Sequence, residues 1–158
     1  MKKGFFSVVI LFISAIIFAG CIKNTPYYTT TNPSMTAVID SYTFVAGTVI
    51  TATLDTQIHD SITTLIIKGN TSDHAHPYDY IQVAVTKFKE TTGVFSIVQS
   101  QASAVYVHTG EYGVKTSLAL GGVVAITSYT PNTVIGYFSF DTNDTLRIRN
   151  GAFIANRP

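Results

Sequence analysis

Val134-Ile135-Gly136-Tyr137-Phe138-Ser139-Phe140 and Leu146-Arg147-Ile148-Arg149-Asn150-Gly151-Ala152-Phe153-Ile154 decide the fold class. In the second stretch Leu146 and Ile148 alternate with Arg147 and Arg149, so one face is apolar and the other charged. That two-residue period belongs to a strand with one buried face. Asp141-Thr142-Asn143-Asp144 between the stretches supplies turn residues, and Thr130-Pro131-Asn132 plays the same part before Val134. With Val123–Tyr129 they predict three consecutive antiparallel strands. Asn150-Gly151 marks either a tight turn or a bulge, because both need the positive φ that glycine accepts.

The same reading extends toward the N-terminus. Tyr80–Thr86 places Ile81, Val83 and Val85 on one face and Tyr80, Gln82 and Ala84 on the other. Met35–Ile39 and Tyr42–Ala46 form a predicted hairpin around Asp40-Ser41, followed by strands at Thr48–Leu54 and Ser61–Lys68. Shorter strands are expected at Gly93–Ile97 and Ala102–Val107, although the Ser-Gln-Ala content of Ser96–Ala104 also allows a short helix. Val, Ile, Thr, Tyr and Phe suit pleated surfaces, and helix signals are otherwise nearly absent. The expectation is all-β: a single antiparallel β-sandwich or flattened β-barrel of about nine or ten strands, the sandwich preferred.

The other end carries an address. Met1-Lys2-Lys3 precedes an apolar run from Phe5 to Ala19, and Gly20-Cys21 follows. Basic start, apolar stretch and small residues at a cut site mark a secretory signal. The run is about 15 residues, short of the roughly 20 that a spanning helix needs. Phe18-Ala19-Gly20-Cys21 resembles the bacterial lipobox, with Phe18 where Leu is commonest. The resemblance implies that Cys21 is acylated and becomes the first mature residue. Two or three acyl chains hold a protein firmly, at about 0.8 kcal/mol per buried methylene. Cys21 is the chain's one cysteine, so the rest has neither disulfides nor thiolate metal sites. The expected organisation is a signal at 1–20, a lipidated Thr- and Pro-containing tether at 21–34, and an all-β domain at 35–158.

Together with the lipobox, Gly136-Tyr137-Phe138-Ser139-Phe140, Gly151-Ala152-Phe153 and the opening Met35-Thr36-Ala37-Val38-Ile39-Asp40 resemble a group of small, uncharacterised, all-β lipoproteins of Gram-negative bacteria. Those proteins commonly end in a Gly-x-Phe-x-Phe … Gly-x-Phe hairpin. The resemblance implies a β domain anchored in the cell envelope, at the outer membrane, and transfers no catalytic residue.

Removing Lys2 and Lys3 from ten Lys+Arg leaves eight against nine Asp+Glu, a near-neutral mature form without a basic stripe for nucleic acid. Asp73-His74-Ala75-His76-Pro77-Tyr78-Asp79 is the best candidate metal site. On extended chain His74 and His76 share a side, Asp73 or Asp79 can add oxygen, and a ligand beyond this segment would come from elsewhere in the chain, for example His59 or His108. Beside Gly69-Asn70 and Pro77, the segment reads first as a solvated loop. Tyr78 and Tyr80 are candidate ligand-binding aromatics, and the plainer reading is that strand tyrosines cover a sheet. There is no Gly-x-Ser-x-Gly elbow, Glu90 and Glu111 stand in no motif, and Gly121-Gly122 precedes a strand rather than a phosphate-binding helix. No catalytic residue and no cofactor are assigned. The expected function is a non-enzymatic envelope module that binds a protein, glycan or small ligand. The alternatives are a metal-dependent enzyme using His74 and His76, or an assembly protein pairing through strand edges.

Overall fold

A computed structural model describes residues 32–57, 62–71, 78–110 and 113–158. Cys21, the expected signal, most of the expected tether, and Asp73, His74, His76 and His59 lie outside the described residues. Among the described residues nine strands follow in order: β1 Ser34–Ile39, β2 Tyr42–Gln57, β3 Ile62–Thr71, β4 Tyr80–Val85, β5 Gly93–Ser96, β6 Ala102–Gly110, β7 Gly113–Tyr129, β8 Thr133–Thr142 and β9 Arg147–Asn156.

Each strand of the series β1-β2-β3-β4-β6-β7-β8-β9 pairs antiparallel with the next, and β9 returns to pair with β1. The ring therefore closes as an eight-stranded meander barrel, not the preferred sandwich. β5 is an addition that pairs with the second half of β7, through Val94↔Ala125 and Phe95↔Val124. β7 is the long element that makes this possible. Its first half pairs with β6 and its second half with β8.

Several boundaries differ from expectation. Tyr42–Ala46 and Thr48–Leu54 are one strand, β2, with a register shift between Ala46 and Ile50 where two strands were expected. β7 begins ten residues before Val123. Ser96–Ala104 is no helix: Ser100 N–H bonds to the Ile97 carbonyl in a turn, and β6 starts at Ala102. Asn150-Gly151 is a bulge. Thr36 faces Ala152 but Val38 faces Arg149, so two residues of β9 oppose one of β1. Asn150 takes the left-handed conformation there, at φ 52°.

An eight-stranded barrel is just wide enough for side chains to fill it. Here they do. Phe44, Leu65, Ile67, Ile81, Val83, Phe138, Phe140, Ile148 and Phe153 are all buried in one apolar cluster. Thr51, Thr53, Asp55 and Asp141 face outward.

The closing Gly-x-Phe-x-Phe … Gly-x-Phe pattern has a packing reason. Gly136 lies opposite Phe153, and Gly151 opposite Phe138. A Cβ on Gly136 would sit 2.6 Å from the Phe153 ring, and one on Gly151 would sit 2.5 Å from the Phe138 ring. Each glycine vacates the space its cross-strand phenylalanine fills, and the two rings lie nearly parallel at 6.3 Å between centroids.

Candidate functional site

The β1–β2 hairpin, the β8–β9 turn, the end of β6 and the start of β4 meet at one end of the barrel. The hairpin is fixed to β9 twice: Asp40 N–H donates to the Arg147 carbonyl, and Arg147 N–H donates to Asp40 Oδ1 at 3.1 Å. Among them opens a cavity of about 320 Å³ lined by residues including Asp40, Tyr42, Asp79, Tyr106, His108 and Thr109. That volume lies at the lower end of the range for small-molecule sites.

Asp79 is the deepest charged group here, at 2% exposure. Thr109 N–H donates to its Oδ1 at 2.6 Å and the Tyr106 hydroxyl to its Oδ2 at 3.2 Å. Burial, then the charge and hydrogen bond of Asp79, push the Tyr106 phenol far above its ordinary value. Tyr106 therefore stays protonated and keeps donating. His108 stacks on it at 5.0 Å between centroids, 11° from parallel, and Phe44 meets it edge-on. His108 Nε2 and Thr109 Oγ1 are buried, and neither has a hydrogen-bond partner. Two such atoms beside one cavity are unusual, because buried polar atoms are nearly always paired.

The β8–β9 turn closes the same end through Asp144. Thr142 and Ser117 hydroxyls donate to it at 2.6 and 2.7 Å, and Lys115 Nζ lies 2.9 Å from Oδ2. Beside it, Leu118 and Asn143 exchange two further hydrogen bonds. Burial alone raises the Asp144 carboxyl. Hydrogen bonds from Thr142, Lys115 and Ser117, with the charge of Lys115, outweigh it and hold the group well below the usual carboxylate range. A depressed folded-state value stabilises the fold above the unfolded-state value near pH 4 and is lost as pH falls through the folded one. Urea titrations are therefore expected to show a midpoint that declines on acidification below about pH 4. Asp144→Asn should cost about 1–2 kcal/mol at pH 7, since Lys115 is exposed and water screens it, and should flatten that decline. An unchanged acid profile in the variant would rule out this anchoring of the turn.

The residues singled out from sequence are distributed unevenly. Tyr78 is 69% exposed, immediately before the buried Asp79. Tyr80 lies on the outer wall with Lys68 Nζ 4.0 Å above its ring, as a tyrosine that covers a sheet does. His108, entertained as a third metal ligand, is at the mouth, but among the described residues no three His, Cys, Asp or Glu side chains are grouped to hold a metal ion. What sequence reasoning missed is the pairing of Asp79 with Tyr106. A signal was present: Asp79 continues the inward series of Ile81, Val83 and Val85. A carboxylate on the buried face of a strand is a departure that needs a partner.

A separate stripe of apolar side chains is exposed on the outer wall: Val94, Val98, Val114, Leu118 and Leu120, each more than half exposed. No family model, curated protein or solved structure matches the chain.

Proposed function

We propose that this is an exported lipoprotein of the cell envelope, held to the membrane through acylated Cys21, whose barrel is a non-enzymatic module that binds a small ligand at its mouth. The observation that carries the binding half is the cavity built around Asp79: a buried carboxylate fixed by Tyr106 and Thr109 at the rigid ends of β4 and β6. Strand ends hold polar groups more firmly than loops do, and a few fixed polar groups in a partly apolar hollow are what recognition of a small molecule requires. The filled interior supports a ligand seated at the end of the barrel rather than within it. The Phe18-Ala19-Gly20-Cys21 stretch supports the anchor.

Expression of the whole gene tests the anchor. Mass spectrometry should find a mature protein beginning at a diacylated or triacylated Cys21, in the membrane fraction. Cys21→Ser should abolish the acyl mass and release most of the protein from that fraction. An unprocessed protein in the cytosol, with Met1 in place, would overturn the anchored reading.

A further inference from the structure

We propose that the outer face of β7, with the turn after β5 beside it, is the surface through which two copies of this chain associate. The first half of β7 is built the opposite way round from the other strands. Its inward side chains Lys115 and Ser117 meet Asp144 at 2.9 and 2.7 Å, and its outward row is Val114, Thr116, Leu118 and Leu120. Val114, Leu118 and Leu120 are 63%, 54% and 68% exposed. Val98, 73% exposed, continues the row, since a Cβ on Gly121 would touch it at 3.5 Å. Val94 follows on β5, opposite Ala125. Aliphatic groups left in water contribute nothing to the fold's own stability. Monomers rarely expose a contiguous apolar patch beyond a few hundred Å², roughly the extent of these five side chains.

The chemistry of the row selects a second copy as its occupant. A two-fold interface sets a patch against itself, so any charge on it would face like charge. Every outward position of β7 from Val114 to Leu120 is uncharged, and the cation of that stretch, Lys115, points to the opposite face and is held by Asp144. The length matches as well. With the axis crossing β7 at Leu118, Val114 of one copy, four residues before the axis, comes over Val98 of the other, which lies beside Gly121, three residues after it. Pleated faces stack about 10 Å apart with their side chains interleaved, which suits such a row. Surfaces that seek a bilayer join aliphatic groups to exposed cations and aromatic rings, whereas this row joins them to threonine. Two such patches with a narrow rim would bury about 1,000 Å² in all, enough for a reversible dimer and too little for a permanent one.

The test is crosslinking in intact cells that express the full chain, before any detergent is added. Thr116→Cys puts a thiol within the row and Thr53→Cys puts one on the exposed outer wall of β2. A short bismaleimide is applied, the unsubstituted chain reports any reaction at Cys21, and products are identified by mass spectrometry. Thr116→Cys is expected to give a homodimer joined at position 116, about tenfold or more above the yield from Thr53→Cys. Adding Leu118→Lys, or separately Leu120→Lys, should lower that yield about tenfold, because it sets like charges face to face. Both leucines are exposed, and two variants keep the test decisive if one fails to fold. Equal yields at positions 116 and 53 would show chance encounters and overturn the inference. A product joining position 116 to a different protein, or no product there at all, overturns it too. A yield unchanged by either lysine would remove the row as the contact.

Discussion

Gly122→Ala is expected to destabilise the barrel by about 4 kcal/mol or more, enough to leave much of the protein unfolded at growth temperature. Two costs combine at this residue. Its φ of +137° lies where side-chain-bearing residues are strained, by about 1–3 kcal/mol. In addition, a Cβ would stand 2.1 Å from the Ser139 carbonyl oxygen and 2.6 Å from Phe140 Cα. Both are backbone atoms of β8 and cannot rotate aside, so either the β7–β8 pairing separates or the strands shift. Gly113 provides the control. It has a φ of +110° but nothing within 4 Å of its would-be Cβ. Gly113→Ala should therefore pay only the conformational part, about 1–2 kcal/mol. Chemical denaturation of both variants measures the difference. Equal losses would mean that β7 and β8 do not approach as closely at Gly122 as described.

Phe153→Ala should cost about 3–5 kcal/mol, with a fall in Tm on the order of 10 °C for a domain of this size. The ring is 2% exposed, fills the space above Gly136 and lies against Phe138. Because Gly136 has no side chain, the residue opposite Phe153 on β8 cannot fill the vacated volume. Tyr137→Ala, on the same strand but facing outward at 39% exposure, should cost no more than about 1 kcal/mol. A Phe153→Ala loss as small as that of Tyr137→Ala would place the ring outside the core. Adding Gly136→Ala to Phe153→Ala should deepen the loss rather than repair it. The new methyl escapes the missing ring but still meets the Ala125 carbonyl oxygen at 2.1 Å.

Strand class and most strand positions are legible in the sequence because burial on one face imposes a period of two. Ile81, Val83 and Val85 demonstrate it, and so do Phe138 and Phe140. The first half of β7 escapes for a physical reason. Its inward positions include Lys115 and Ser117, which turn toward Asp144 at the mouth, while Val114, Leu118 and Leu120 face outward. There the pattern is inverted, and a rule that places apolar residues inside cannot read it. Closure into a barrel depends on β1 meeting β9, as in Met35↔Phe153, a pairing more than a hundred residues apart that leaves no local trace. The mouth is hidden similarly. Asp79 reaches Tyr106 and Thr109 across 27 and 30 residues, so no short motif announces the trio. Only the misplaced charge of Asp79 on an apolar face pointed to it.

Circular closure carries a consequence for crowding. Strands at the margin of an open sheet offer unused amide and carbonyl groups to any neighbour, and proteins concentrated on a surface meet such neighbours constantly. Among the described residues eight strands each have a partner on both sides over part of their length, while residues 52–57 of β2 pair only with β3, residues 113–117 of β7 only with β6, and β5, four residues long, only with β7. Closure thus shortens the backbone through which two copies could zip together and confines it to these few stretches.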